Sequence, residues 1–222
     1  ADGMGGHAAG DIASQLVVDT IRLAMQRGET ASVNLITQAL HQANAELCRY
    51  SLQHLDGHTA GSTVVVLLLD KVHYHFLWAG DSRGYLLRHQ QLRQLTRDHS
   101  QVNDMVEQGL LSSSEAEQHE LANVITRAVG VDPRLSIDVI SGVWQPGDLF
   151  LLCSDGLNKE LSDDEIYQYL AHSNIAEANR ALLHSTLVAG ARDNVTCILV
   201  KVNNDPQNVN DKDRTIPLFM NN

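Results

Sequence analysis

Four short segments of this 222-residue chain set an aspartate beside glycine or another turn-forming residue: Asp2-Gly3, Gly80-Asp81-Ser82, Ser154-Asp155-Gly156 and Asp193-Asn194. An apolar run leads into Asp81 and into Asp155, and another follows Asp193. Strand ends of this kind are rigid and let separate carboxylates converge at one edge of a sheet, while the glycines permit tight turns and close approach to a ligand. Carboxylates clustered without His or Cys suit hard cations such as Mg²⁺ or Mn²⁺ better than zinc. Two such ions about 3.5–4 Å apart can clamp a phosphoryl group and activate a water. Taken singly, each segment is ordinary turn chemistry. Their number and shared context point to a cation site.

The elements that must position these aspartates are legible from periodicity. The glycine-rich first ten residues predict no helix interior; helices are expected from Asp11 to about Gln26 and from about Ala31 to Leu52, where Val33, Ile36, Leu40, Ala43 and Leu47 share a face. From Thr59 the period falls to two. Gly61 to Leu69 predicts a buried strand, Val72 to Trp78 a half-buried one with Leu77 on the outer face, and Gly84 to Arg88 a third strand completing an antiparallel meander. Residues 97–120 predict short helices around a mobile connection at Gly109 to Ser114. Further strands are expected around Leu135 to Val139, at Leu149 to Cys153 after the Pro146-Gly147-Asp148 turn, and at Asn194 to Val202. Ser162 and Glu165 form a capping box that opens a helix to about Ala171, and another helix covers Ile175 to Val188. Strands and helices are grouped rather than alternating, which predicts an α+β fold with antiparallel sheets.

Composition removes several functions. A net charge of −11 opposes nucleic-acid binding, which needs clustered Lys and Arg. No apolar run is long enough to cross a bilayer, and no signal peptide is recognisable. Cys48, Cys153 and Cys197 are odd in number, lack metal-ligand spacing and sit in apolar patterns, as reduced core thiols of a cytoplasmic protein do.

Seven stretches, in order, make the comparison specific: Asp2-Gly3-Met4-Gly5-Gly6-His7, Gly61-Ser62-Thr63, Ala79 to Tyr85, Leu95 to Ser100, Ile125 to Gly130, Leu152 to Leu157 and Asp193 to Thr196. Over residues 1 to about 202 the chain resembles the metal-dependent protein phosphatase (PPM, or type 2C) family, and most closely its bacterial branch. The resemblance implies a four-layer α-β-β-α sandwich with a binuclear Mg²⁺ or Mn²⁺ centre at one end. There Asp2 bridges both ions, the Gly3 carbonyl joins the second, Asp155 and Asp193 hold the first, and Asp81 helps hold a third, weaker ion. It implies hydrolysis of phosphoserine and phosphothreonine by a metal-activated water, on phosphorylated proteins that are substrates of a Ser/Thr kinase. Residues 1–202 are then the catalytic domain, Gln101 to Glu120 a flap beside the site, and 203–222 a polar, flexible tail in which Ile216 to Met220 is a candidate docking stretch.

The chain departs from the family pattern in two ways. The family's opening strands precede the Asp-Gly motif and carry a phosphate-gripping Arg and an acidic second-metal ligand; neither precedes Ala1 here, and we expect them in upstream residues. Where some relatives place a His after Asp-Gly as general acid, this chain has Met4, so no general acid is assigned. The absent acidic ligand also supports an alternative, a catalytically weak relative that binds phosphoproteins or partners. A purely structural cation module is a third reading. His7 and His99 are read as structural or exposed, Arg83 as an ion-pairing residue that holds its turn, and His73 and His75 as surface.

Overall fold

The computed structural model of the protein describes residues 1–203 apart from Gly6, Arg27, Glu29, Gly57, Gln118 and Ser173. The tail from 204 onward, with its candidate docking stretch, and the side chain of His7 lie outside the described residues. The chain runs β1 (Asp2–Met4), α1 (His7–Gln26), α2 (Val33–His54), β2 (Gly61–Leu69), β3 (His73–Ala79), β4 (Arg83–Arg88) and β5 (Gln91–Gln94). It continues through α3 (Gln101–Glu107), α4 (Ser113–Glu117), β6 (Asp138–Val143), β7 (Leu149–Cys153), α5 (Asp155–Asn158), α6 (Asp163–His172), α7 (Ile175–Val188) and β8 (Cys197–Lys201).

The strands form two antiparallel four-stranded sheets, ordered β1-β2-β3-β6 and β5-β4-β7-β8. Three apolar layers hold the sandwich together. Val17 of α1 and Ile36, Leu40, Ala43 and Leu47 of α2 pack on Val64, Leu68 and Leu77 of the first sheet. Tyr74, Phe76, Trp78, Leu86, Phe150 and Leu152 fill the space between the sheets. Tyr85, Leu151 and Cys153 meet Ile166, Leu170 and Leu182 of α6 and α7 on the far side. This is the α+β, four-layer arrangement expected, each layer formed by the apolar face its periodicity predicts. Among the described residues β1 pairs only with Gly61 to Thr63, so the rest of the outer edge of β2 has no strand beside it. An apolar trough runs there between Val65, Leu67 and Leu69 and the opposing Leu152, Ile198 and Val200.

Four expectations need correction. β3 and β4 do not belong to one meander: β3 pairs with β2 and β6, β4 with β5 and β7. The Gly80-Asp81-Ser82 turn is therefore the crossing between sheets, and it places Asp81 where both sheets end. Leu77 is not on a wet face but fully buried beneath the helices, because α1 and α2 cover that side of β3. The sixth strand begins at Asp138, and Leu135 and Ile137 pack against the helix layer ahead of it. Lastly, α1 begins at His7, with Gly10 inside it. A Cβ on Gly10 would stand 2.7 Å from the Gly3 carbonyl oxygen, so glycine here lets the helix touch the backbone of β1. Helix propensity argues against that glycine; the close packing requires it.

Candidate active site

Hydroxyl groups and backbone fix the aspartates at one end of the sandwich. Asp2 opens β1 opposite Thr63, and its N–H donates to Thr63 Oγ1 at 3.1 Å. The same hydroxyl lies 2.8 Å from Ser82 Oγ, which ties Asp2 to the Asp81 crossing. Ser62 Oγ donates to the Asp2 carbonyl at 3.0 Å. On the second sheet, the Ser154 N–H donates to the Thr196 carbonyl at 3.0 Å and Ser154 Oγ to the Asn194 carbonyl at 3.2 Å. Ser154 thereby binds the start of α5 to the loop that carries Asp193. A Cβ on Gly156 would lie 2.4 Å from the Asn194 carbonyl oxygen, so Asp155 and Asp193 are held together by a contact only glycine allows.

The electrostatics record this convergence. Burial, and then the charges of Asp155, Asp193 and Asp81, push the Asp2 carboxyl up to about 7. Burial, then Asp155 and Asp98, push Asp81 up to about 6. Asp155 and Asp81 are each 8% exposed, whereas Asp193 is exposed, with the Asn194 N–H donating to its Oδ1 at 2.8 Å. All four predicted carboxylates, with Gly3 between Asp2 and the start of α1, therefore lie at one end of the fold. Asp155 does not end a strand as expected but opens the short helix α5.

The donor set fits a hard divalent cation. Every candidate ligand is an oxygen, and Asp155 Oδ1 is buried without a hydrogen-bond partner. Mutual repulsion that drives carboxyls toward neutrality is what a dication relieves. Among the described residues no three His, Cys, Asp or Glu side chains close into a ready-made metal cage. Instead the ammonium of Lys159 hydrogen-bonds Asp155 Oδ2.

The supporting residues were less visible in the sequence. Arg83 reaches Asp98 through Nε and Nη2 at 2.8–3.0 Å and donates to the Tyr85 hydroxyl at 3.1 Å, so it is the ion-pairing residue expected. Tyr85 donates in turn to Asp163 at 3.1 Å. His99 is buried, stacks on Trp78, and accepts the Gly80 N–H on Nδ1 at 3.1 Å. It clamps the sheet crossing. His73 is exposed as expected, but His75 bridges Ser141 Oγ and Asp70 Oδ2 at 2.7 and 3.3 Å. Thr63 and Ser82 stand in the Gly61-Ser62-Thr63 and Gly80-Asp81-Ser82 segments, but their hydroxyls were given no role there; for Lys159 the spacing of four from Asp155 was the one available signal.

The raised carboxyls set a pH dependence. A carboxyl whose pKa rises on folding stabilises the fold fully below its unfolded value and loses that contribution as pH rises through the folded value. Asp2 and Asp81 rise from 3.8 to about 7 and about 6. The metal-free protein should therefore melt at a lower temperature at about pH 8 than at about pH 5. Scanning fluorimetry in EDTA checks this, and a melting temperature that rises over the interval contradicts the placement of these carboxyls.

The protein phosphatase 2C family model matches residues 1–189. The serine/threonine phosphatase stp of Listeria monocytogenes is 33% identical over 209 residues, which cover 90% of this chain and 82% of that protein. Among solved structures, PppA, a key regulatory component of T6SS in Pseudomonas aeruginosa, superposes with a TM-score of 0.80 at 40% identity, covering 90% of this chain and 83% of that one. The catalytic domain of the serine/threonine phosphatase PstP in complex with two manganese ions gives a TM-score of 0.79 at 31% identity, covering 89% and 83%.

Proposed function

The chain belongs to the protein phosphatase 2C family, and from that premise we propose that residues 1–202 are a catalytic domain hydrolysing phosphoserine and phosphothreonine in proteins. The observation that carries the proposal is the convergence of Asp2, Asp81, Asp155 and Asp193, with the Asp2 carboxyl held up near 7 by burial and by its neighbours' charges, and one Asp155 oxygen unpartnered. Asp2, joined by the Gly3 carbonyl, would serve two ions, with Asp155 and Asp193 on the first and Asp81 on a third, weaker one. When bound, Mg²⁺ or Mn²⁺ supplies positive charge for the phosphoryl oxygens and the acidity that makes water a nucleophile at neutral pH.

The protein's own residues position these donors and exclude the rival chemistry. Thr63, Ser82 and Ser154 hold the aspartates in register, so little reorganisation remains to be done when a phosphoprotein arrives. A thiol route through a cysteinyl-phosphate is disfavoured. Cys153 is buried on the helix side of its sheet, where burial raises its pKa, and burial pushes Cys197 up to about 11. Both remain protonated at neutral pH and are poor nucleophiles. No described helix is long and apolar enough to cross a membrane. As part of the same proposal, the protein acts in the cytoplasm on substrates of a Ser/Thr kinase. The test is hydrolysis of phosphothreonine, phosphoserine and phosphotyrosine peptides with Mn²⁺; preference for phosphotyrosine, or indifference to Mn²⁺, refutes the proposal. The alternative, a weakly active relative that binds phosphoproteins, draws on the Lys159 ammonium already seated on Asp155. It requires peptide binding without turnover in the same assay.

Asp81 separates a third-ion ligand from a turn residue. Asp81→Ala should slow turnover while leaving tight Mn²⁺ binding intact, and it should not lower the melting temperature, since it removes a buried carboxyl pressed by Asp155. A turn-only role predicts the opposite, a loss of roughly 0.5–2 kcal/mol with turnover per folded molecule unchanged. Both quantities are measured on one preparation.

A further inference from the structure

We infer that Lys159 is a built-in competitor for the cation site, its ammonium holding Asp155 in the place a divalent ion takes and giving way when the ion binds. This rests on the reading of Asp155 as an ion ligand. Lys159 follows Asp155 by four residues, across the single turn of α5, and its ammonium hydrogen-bonds Asp155 Oδ2. Among the described residues it is the one cation within salt-bridge distance of Asp2, Asp81, Asp155 or Asp193. The Asp155 side chain is 11% exposed and that of Lys159 is 40% exposed. The carboxylate is thus confined while the lysine stem reaches solvent and can swing away at small cost. The two oxygens of Asp155 are used unequally: Oδ2 carries the ammonium, and Oδ1 is buried without a partner.

Two consequences follow from placing one mobile positive charge among four carboxylates. Without ions it offsets part of their repulsion and supports the fold. With ions present it opposes them twice, by occupying Oδ2 and by adding like charge beside the incoming cation. The domain would then remain folded at low metal and load only above a raised concentration threshold.

The test measures Mn²⁺ affinity by isothermal titration calorimetry and melting temperature in EDTA, on the full chain. Lys159→Gln should bind Mn²⁺ roughly three- to tenfold more tightly, the range expected for losing a partly exposed ion pair, and should melt at a lower temperature in EDTA. Lys159→Met, which keeps most of the stem, should do the same, and Lys159→Arg should stay near the parent protein. Arg192→Gln removes a positive charge next to Asp193 that forms no salt bridge among the described residues, and should change affinity by less than about twofold. Unchanged or weaker Mn²⁺ binding in both Lys159→Gln and Lys159→Met overturns the competitor role, as does an equal gain in Arg192→Gln. Asp155→Asn distinguishes the two levels of the argument. If it leaves Mn²⁺ affinity unchanged, the reading of Asp155 itself fails. If it weakens binding while the Lys159 variants do nothing, only the competitor role fails.

Discussion

Asp155→Asn should lower turnover on a phosphothreonine peptide by at least roughly a hundredfold while leaving the metal-free protein as stable as the parent. The side chain is buried, its Oδ1 has no partner, and its charge adds to the burial that drives Asp2 up to about 7. Asparagine keeps the shape and removes the charge, so it relieves repulsion among the carboxylates. What is lost in the metal-free protein is one ion pair to a lysine side chain that is 40% exposed, a contact of small worth. The variant should melt no lower than the parent in EDTA, and added Mn²⁺ should no longer raise its melting temperature, because ion binding stabilises only the state that binds. A variant that folds normally and keeps both its turnover and its Mn²⁺-dependent stabilisation would remove Asp155 from the site.

Gly10→Ala should lower stability, with a sign opposite to the usual one. In an exposed helix interior, replacing glycine by alanine gains about 1 kcal/mol. Here the new methyl would lie 2.7 Å from the Gly3 carbonyl oxygen and 2.9 Å from its carbonyl carbon, and both are backbone atoms that cannot rotate away. Forcing helix and strand apart costs about 1–3 kcal/mol or more, which outweighs the propensity gain. The displaced strand carries Asp2, so Mn²⁺ affinity should fall along with the melting temperature. Chemical denaturation and calorimetry on the same variant measure both. A more stable Gly10→Ala would mean that α1 does not touch β1 as described.

The same contact shows where reading from the sequence stops. Where periodicity and local capping decide the outcome, the elements were legible: β2 runs Gly61–Leu69 and α7 runs Ile175–Val188 as expected. The Ser162 and Glu165 side chains cap each other's backbone at the start of α6. The start of α1 was missed because a glycine-rich run has no helical signature, and the reason for Gly10 lies in a strand seven residues earlier. β5 was missed because its hairpin turns through His89 and Gln90, with φ of 50° and 60°, instead of the glycine or asparagine that marks such turns. That β3 and β4 sit in different sheets follows from which strands lie beside them, and strand order is not written in alternation. At the site, the aspartates stood out by their repeated context. Lys159 did not, since a lysine four residues beyond an aspartate is ordinary until the fold confines the aspartate and surrounds it with three more.

The most direct test of the account is a Mn²⁺ titration of EDTA-treated full chain that follows phosphate release from a phosphothreonine peptide. The convergence of Asp2, Asp81, Asp155 and Asp193 predicts no turnover without added ion, a saturable rise with Mn²⁺, and loss of that rise in Asp155→Asn and in Asp193→Asn. Phosphate release that is already maximal in EDTA, or that responds to Mn²⁺ identically in the parent and both variants, would contradict it.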